Sequence, residues 1–398
     1  MGKVGRVLAI LLLTLLLPGT ATAAGAPAAP RAAWTGSWEA APSGTADALA
    51  GAAVRNVVHL SVGGSDVRVR LSNRLGTAPL QLGAVTVALR RAGGPDAQPG
   101  TMRTATFHGA PTVTVPPGAD TVTDPVPLRV PAAADLLVTV YTPADNGPAT
   151  YHRTALQTSY VAKTGAGRAA DEKGTAYSTA IDWWYYVTGV DVRGAAAGSV
   201  VAFGDSLTDG TGSTFDTNHR WPDLLAAQLT GRRLGVLNAG IGGNRLLLDG
   251  VGPSALNRLD ADALDRTGAR TLVVFEGIND IIKGVPQTGD PAAFADAYRT
   301  VVSRAHARGI KVVGVTLTPF RGFSAYTDAR ESVRQNINAF IRTGGAFDAV
   351  ADADAAVRDP ADPARIRPAY DPGDHLHFDD AGMAAVADAV RRALPQPR

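Results

Sequence analysis

The sequence of 398 residues contains no cysteine. A cysteine nucleophile, a thiolate-bound zinc site and an iron–sulfur cluster are therefore excluded. The sequence also lacks a large excess of charge of one sign, since 38 basic and 36 acidic residues give a formal net charge of +2. The basic residues form no stripe interleaved with aromatic residues, so we expect no nucleic-acid partner.

Long hydrophobic runs are nearly absent, and the one clear apolar run lies at the N-terminus. Lys3 and Arg6 precede apolar residues 7–17, and small residues 21–23 follow them. This run is shorter than the about 20 residues that span a bilayer, and no later stretch is long enough. The pattern predicts a signal peptide at residues 1–23 and a secreted, extracellular protein without a transmembrane segment. An N-terminal membrane anchor is the alternative interpretation.

The length of the chain and a change in its pattern predict two folded domains, at residues 24–194 and 195–398. In the first, short segments of alternating apolar and polar residues are separated by turns rich in glycine and proline. We place strands at residues 67–71, 85–89, 135–141 and 183–187, and a hairpin turn at Gly63-Gly64. Many short strands between tight turns indicate an all-β domain, a sandwich or jelly roll.

Small residues at 194–199 predict a linker, after which short apolar segments alternate with amphipathic helical segments. The predicted strands are at residues 199–203, 234–237, 271–275 and 311–317. The predicted helices include residues 221–229, 291–307 and 325–341. This alternation predicts an α/β domain, a parallel sheet with helices on both faces. Its active site is expected at the carboxyl ends of the strands.

Polar and glycine residues follow three of these predicted strands. Gly204-Asp205-Ser206-Leu207 follows the first, where a serine near a helix N-terminus would meet backbone N–H groups that stabilise negative charge. Taken alone, a helix N-cap is the simpler interpretation of Ser206. A glycine-rich turn at residues 238–244 follows the second strand, and Asn279 follows the third. The asparagine amide is a hydrogen-bond donor for the same edge of the sheet.

Near the C-terminus, Asp374 lies three residues before His377. A carboxylate at this spacing reaches the Nδ1–H of the imidazole within one turn. That contact fixes the tautomer and leaves Nε2 to accept a serine proton.

Together these motifs resemble the sequence blocks of SGNH (GDSL) hydrolases, in the same order along the chain. The resemblance covers residues 199–394 and implies an SGNH flavodoxin-like parallel sheet. It implies Ser206 as the nucleophile, His377 as the general base and acid, and Asp374 as the residue that orients the imidazole. His375 is the competing histidine, but its spacing from Asp374 does not fit the family pattern.

The resemblance also implies an oxyanion hole formed by the Ser206 N–H, the Gly243 N–H and the side-chain amide of Asn279. Gly243 is preferred over the neighbouring glycines because it stands five residues after Asn238, as the family's glycine usually does. One departure is that Phe378-Asp379 stands where many members have Pro-Asn, which affects the edge of the pocket and removes no catalytic group.

Three segments of the first domain, residues 55–64, 67–76 and 155–160, resemble the N-terminal β-domain of some actinobacterial SGNH proteins. That subset is described as lysophospholipase- or arylesterase-like. Two interpretations of the tryptophans in this domain stay open. They form either an exposed carbohydrate- or surface-binding face or packing within and between the domains. The residues concerned are Trp34, Trp38, Trp183 and Trp184.

The function implied by the resemblance is a serine esterase that cleaves carboxylic esters through an acyl-enzyme, with no metal or organic cofactor. Small-molecule, lipid or acylated-glycan esters are the expected partners, with short-acyl, glycan and lysophospholipid esters as the substrates. One alternative is a secreted carbohydrate- or surface-binding protein with a vestigial hydrolase half. Another is an acyltransferase that uses the same triad.

Overall fold

The computed structural model describes residues 1–2, 33–284 and 290–395. The described residues from 33 onward belong to one compact unit. Apart from Met1 and Gly2, the predicted signal peptide lies outside the described residues. None of the described helices is long and apolar enough to cross a membrane.

Residues 33–194, called the β-region below, are built of antiparallel strands, as predicted. The strands are β1 (Ala33–Glu39), β2 (Gly44–Ala46), β3 (Ala53–His59), β4 (Asp66–Ser72), β5 (Leu80–Leu82), β6 (Ala84–Leu89), β7 (Arg103–Thr104), β8 (Val113–Val115), β9 (Asp120–Val122), β10 (Asp135–Tyr141), β11 (Ala149–His152), β12 (Ser159–Ala162), β13 (Thr179–Ile181), β14 (Trp184–Tyr185) and β15 (Val187–Gly194). They pair in the orders β1-β15-β4-β9, β13-β12-β3-β10-β6-β7, β14-β11-β2 and β5-β8.

Strand β4 shows why the alternating sequence forms this structure. Val67, Val69 and Leu71 are fully buried in the core of the β-region, where they meet apolar residues of the six-stranded sheet. Successive side chains of a strand point to opposite faces, so Arg68 and Arg70 lie on the other face. Both arginines donate hydrogen bonds to Thr267 Oγ1, which belongs to the second half of the chain.

Two local predictions in the β-region are wrong. The predicted strand at residues 183–187 is interrupted at Tyr186, which has a φ of +62° and a ring buried in the core. A positive φ is incompatible with an extended strand, so packing of the ring overrides the local preference. Gly63-Gly64 does not form a hairpin turn, because β3 and β4 lie in different sheets. The Gly64 N–H instead donates to the Val130 carbonyl, at 3.0 Å.

The second half of the chain, called the α/β-region below, has the predicted parallel sheet. Its strands are β16 (Gly198–Gly204), β17 (Leu234–Gly240), β18 (Ala269–Phe275), β19 (Lys311–Val315) and β20 (Ala349–Ala351), in the order β17-β16-β18-β19-β20. Its α-helices are α1 (Ser206–Asp209), α2 (Trp221–Gln228), α3 (Ala255–Leu259), α4 (Ile278–Lys283), α5 (Pro291–His306), α6 (Asp328–Thr343), α7 (Ala353–Val357) and α8 (Asp380–Ala393).

The direction in which the chain adds strands reverses between β16 and β18. From β16 the chain continues to β17 on one side, whereas from β18 it continues to β19 on the other side. Such a reversal opens a ligand-binding crevice at the carboxyl ends of the two neighbouring strands. The register places Gly204, Gly240 and Phe275 level with one another, so the segments after β16, β17 and β18 start at the same edge.

The predicted linker is short, since only residues 195–197 separate β15 from β16. Buried charged side chains of the β-region and the α/β-region contact one another at the interface between the two regions. Arg74 of the β-region pairs with Asp262, and Glu39 lies 2.6 Å from Nε of Arg266. Asp262 also lies 3.6 Å from Arg258 and 3.4 Å from Arg266, and its side chain is 1% exposed. The two regions therefore share the ion pairs of the buried Asp262 carboxylate.

We predict that Asp262→Asn strongly destabilises the whole fold. Loss of this carboxylate leaves buried arginines from both regions without their shared partner, and breaking a buried pair costs about 3–5 kcal/mol. The free energy of unfolding, measured by urea denaturation with circular dichroism, should fall by this amount.

Asp265→Asn is the matched control, because Asp265 pairs with Arg308 at 3.3 Å and its side chain is 59% exposed. An exposed pair contributes about 0–1 kcal/mol. Equal losses of stability in the two variants would contradict the role given to Asp262.

Candidate active site

Ser206 lies where β16 runs directly into the short helix α1. The Asp205 side chain caps that helix by accepting a hydrogen bond from the Leu207 N–H at 2.9 Å. Asp205 is therefore the N-cap and Ser206 the first residue of the helix, which differs from the simpler interpretation of Ser206 as a cap. The serine is 8% exposed and lies at the carboxyl edge of the sheet, directly after β16. Its hydroxyl is free to make other contacts.

The structure brings Ser206, His377 and Asp374 together in a hydrogen-bonded row. His377 Nε2 lies 2.9 Å from Ser206 Oγ, and His377 Nδ1 lies 2.5 Å from Asp374 Oδ2. A carboxylate only accepts hydrogen bonds, so Nδ1 carries the hydrogen and Nε2 is left to accept the serine O–H. This is the arrangement that a serine nucleophile and its base require.

Asp374 is held in place by more than the imidazole. Its Oδ1 accepts hydrogen bonds from the backbone N–H groups of Leu376, at 3.0 Å, and His377, at 2.9 Å. Partial burial by itself would raise the pKa of Asp374, but the hydrogen bonds from the His377 ring and these N–H groups lower it overall. The carboxylate thus stays ionised at neutral pH and can stabilise a positive charge on His377.

His375, the competing histidine, has a different partner. Its Nδ1 lies 2.5 Å from Asp371 Oδ2, and its backbone N–H donates to the same carboxylate. It makes no hydrogen bond to Ser206 within the described residues.

The glycine turn after β17, residues 241–244, passes close to Ser206. A Cβ atom added to Gly242 would lie 3.9 Å from the Ser206 Cβ. Gly243 has a φ of +80°, a conformation that side-chain-bearing residues rarely adopt. Among the described residues, the Gly243 N–H donates no hydrogen bond, whereas its carbonyl accepts one from Lys283 Nζ at 2.7 Å. This N–H is thus available to a ligand.

Asn279 stands on α4 immediately after β18, on the opposite side of Ser206 from the glycine turn. The chain turns into this helix at Gly277, whose φ of +126° is accessible to glycine. Asn279 is 8% exposed and its side chain interacts with the Asp205 carboxyl, but no hydrogen bond of normal geometry satisfies its Nδ2 within the described part of the chain. Buried donors are nearly always satisfied, so an incompletely satisfied one beside a serine suits binding of an oxyanion.

Three buried carboxyl groups, Asp205, Glu276 and Asp280, lie beneath these donors. Burial, together with the nearby Asp280 carboxyl, raises the pKa of Asp205 to about 7. Burial also raises the pKa values of Glu276 and Asp280. The guanidinium of Arg258 lies 3.6 Å from Glu276 and donates to the Gly204 carbonyl at 2.9 Å. The buried Arg258 guanidinium therefore offsets part of the charge and fixes the end of β16.

Sequence reasoning missed three residues that contact the glycine turn. Asp209 accepts from the Gly242 N–H, Arg153 donates to the Gly242 carbonyl, and Lys283 donates to the Gly243 carbonyl. His152 adds a contact to Asp209. His152 and Arg153 belong to the β-region, far from the motifs in sequence. Of these residues, only Asp209 could have been suspected from the sequence, because it lies on the same short helix as Ser206.

The tryptophans of the β-region divide between the two interpretations. Trp38 and Trp184 are 6% and 4% exposed, and their rings pack edge to face with centroids 5.0 Å apart. Trp34 is half-buried, and the Arg68 guanidinium lies 4.7 Å from its ring centroid. Trp183 is 37% exposed. Packing therefore accounts for Trp38 and Trp184, whereas Trp183 reaches the surface.

Comparisons with known proteins locate a family match in the α/β-region. The family described as GDSL-like Lipase/Acylhydrolase matches residues 202–385. Among solved structures, the native aryl esterase of M. smegmatis is 19% identical, with a TM-score of 0.40, and covers 49% of this chain and 99% of its own. The lipase/acylhydrolase from Enterococcus faecalis is also 19% identical, with a TM-score of 0.38, and covers 50% and 99%. No match was found among curated proteins.

We predict that the stabilities of Asp205→Asn and the wild type depend differently on pH. The folded state holds a proton on Asp205 that the unfolded chain releases above a pKa of 3.8. Wild-type stability therefore loses a contribution as the pH rises from about 4 to about 7. Asparagine keeps the capping oxygen and cannot ionise. The melting temperature of the variant relative to the wild type, measured by calorimetry, should be higher at pH 8 than at pH 5.

Asp47→Asn, which removes an exposed carboxylate of the β-region, is the control. If Asp205→Asn instead changed the melting temperature by the same amount at pH 5 and pH 8, the pKa of Asp205 would not be raised in the folded protein.

Proposed function

We propose that this protein is a secreted serine esterase. Residues 202–385 match the GDSL-like lipase/acylhydrolase family, which is the starting point for this function. Cleavage of carboxylic esters follows from the family domain itself. The catalytic roles of the residues are inferred from the row of hydrogen bonds that runs from Ser206 Oγ through the His377 ring to Asp374. In this proposal Ser206 is the nucleophile, His377 the base and Asp374 the residue that orients it.

Acylation begins when the Ser206 hydroxyl attacks the ester carbonyl carbon. Its proton passes to His377 Nε2, which already lies 2.9 Å away. The imidazolium that forms is stabilised by the Asp374 carboxylate at Nδ1. The tetrahedral intermediate then collapses, the C–O bond to the alcohol breaks, and His377 donates the proton to the leaving oxygen.

The negative charge on the tetrahedral intermediate needs donors that do not have to rearrange. Within the described chain the Gly243 N–H donates no hydrogen bond and Asn279 Nδ2 makes none of normal geometry, and the Ser206 N–H lies at the start of helix α1. Each donor in such a hole contributes about 3 kcal/mol to lowering the barrier. Water activated by His377 then hydrolyses the acyl-enzyme, and no step requires a metal or an organic cofactor.

Short-acyl, glycan and lysophospholipid esters are the substrates we propose. The loop at residues 211–220 passes the candidate base, since a Cβ added to Gly212 would lie 3.4 Å from the His377 Cβ. The same loop carries Phe215, which is 45% exposed. An exposed apolar ring on this loop is suited to contact an acyl chain. Secretion rests on the apolar run at residues 7–17 and the small residues at 21–23.

We predict that Ser206→Ala abolishes esterase activity. Loss of a serine nucleophile lowers kcat by about 10⁴-fold or more, because the acyl-enzyme can no longer form. Hydrolysis of p-nitrophenyl acetate, butyrate and octanoate is the measurement, and the preferred chain length separates a short-acyl esterase from a lipid hydrolase.

Ser332→Ala, on the exposed face of α6, is the control and should keep full activity. A folded wild-type protein that is inert on all three esters would instead favour a binding protein with a vestigial hydrolase half.

We predict that Asn279→Ala lowers kcat by about 10²- to 10³-fold and leaves KM nearly unchanged. The amide contacts the oxyanion, which exists only in the transition state and intermediate, so its loss affects catalysis more than binding. Steady-state kinetics with p-nitrophenyl butyrate measures both constants. Asn336→Ala, an exposed asparagine of α6, serves as the control. An increase in KM with unchanged kcat would argue against Asn279 as an oxyanion donor.

A further inference from the structure

We propose that the β-region is a working part of the active site, in which His152 and Arg153 position the glycine turn that presents the Gly243 N–H. These consecutive residues, at the end of β11, fix the two polar groups of Gly242. The inference rests on the proposed esterase function. It assigns His152 and Arg153 as positioning residues that act through the turn.

His152 is held tightly at the interface of the two regions. Its side chain is 3% exposed, and its Nδ1 lies 2.7 Å from the Ala41 carbonyl oxygen. Its Nε2 lies 3.0 Å from Asp209 Oδ1. A carbonyl oxygen and a carboxylate oxygen both accept hydrogen bonds, so the ring satisfies both contacts when each nitrogen carries a hydrogen. The His152 ring thus links the Ala41 carbonyl to the buried Asp209 carboxylate.

Asp209 transmits this contact to the glycine turn. It is the last residue of α1, the helix that starts at Ser206. While Oδ1 faces His152, Oδ2 accepts a hydrogen bond from the Gly242 N–H at 2.8 Å. One carboxylate, 6% exposed, therefore connects the β-region, the helix of the nucleophile and the turn.

Arg153 acts on the other group of the same glycine. Its Nη2 donates to the Gly242 carbonyl at 3.3 Å. The carbonyl of Gly242 and the N–H of Gly243 belong to one planar trans peptide, so they point in opposite directions. A guanidinium on the carbonyl side therefore keeps the Gly243 N–H directed away from Arg153 and polarises it as a donor.

The turn needs such support because of its own sequence. Glycine has more backbone freedom than any other residue type, and two glycines, Gly242 and Gly243, stand side by side in this turn. Gly243 adopts a φ of +80°. A donor in an oxyanion hole stabilises the transition state only when it is held near its working position in advance. Loosening the turn should therefore reduce kcat, whereas substrate binding before the reaction should change little.

The test compares His152→Ala and Arg153→Gln with the wild type in the full-length protein. We expect kcat for p-nitrophenyl butyrate to fall about 10- to 100-fold in each, with KM changed less than about threefold. Arg153→Lys, which keeps the positive charge, should restore part of kcat. The double variant should lose less than the product of the two single losses, because both residues act on one turn.

The matched controls are His108→Asn and Arg91→Gln, which change exposed residues of the β-region and should keep the wild-type kcat. Arg153 is half-buried, so its variants fold even where loss of the buried His152 ring prevents folding. A folded Arg153→Gln with wild-type kcat, or a rise in KM alone, would overturn the proposal. Activity that survives in Ser206→Ala would overturn the proposed function itself, which is a separate result.

Discussion

The structure depends on the pairing of charges that are removed from water where the two regions meet. Asp262 lies among arginines of both regions, and one of them, Arg266, also lies beside Glu39 of β1, whose pKa burial raises to about 8. A buried charge without a partner costs several kcal/mol, so neither region can withdraw without leaving such charges unpaired. This constraint fixes the orientation of the β-region on the parallel sheet. The described residues from 33 onward form one compact unit although the two regions have different architectures.

That fixed orientation gives the β-region a role at the carboxyl edge of the sheet. Arg220, at the start of α2, donates to the Ala155 carbonyl at 2.9 Å, and Asp216 accepts from the Thr158 N–H at 2.6 Å. These hydrogen bonds attach the loop at residues 211–220 to the β-region. The glycine turn is attached to the same region through His152 and Arg153. A surface-binding function of the exposed Trp183 is compatible with these contacts, because Trp183 makes none of them.

The candidate site also stores unfavourable electrostatic energy. Burial raises the pKa values of Asp205, Glu276 and Asp280, so the folded protein resists ionising groups that water would ionise readily. Asn279 Nδ2 adds a buried donor that no hydrogen bond of normal geometry satisfies among the described residues. Natural proteins tolerate such costs chiefly where function needs prepared polar groups. The paired charges at the interface stabilise the fold that carries this strained edge.

The sequence by itself determined the parallel sheet, the all-β character of the first region and the set of polar residues at the strand ends. These follow from local periodicity and from the rule that the carboxyl ends of parallel strands share one edge. Asp374 and His377 were predictable because a carboxylate three residues away reaches its histidine within one turn. Only the tertiary structure decided the positive φ of Tyr186, the course of the chain at Gly63-Gly64 and the contacts of His152 and Arg153 with the glycine turn. These depend on packing between segments far apart in sequence, which leaves no periodic or spacing signal in either segment.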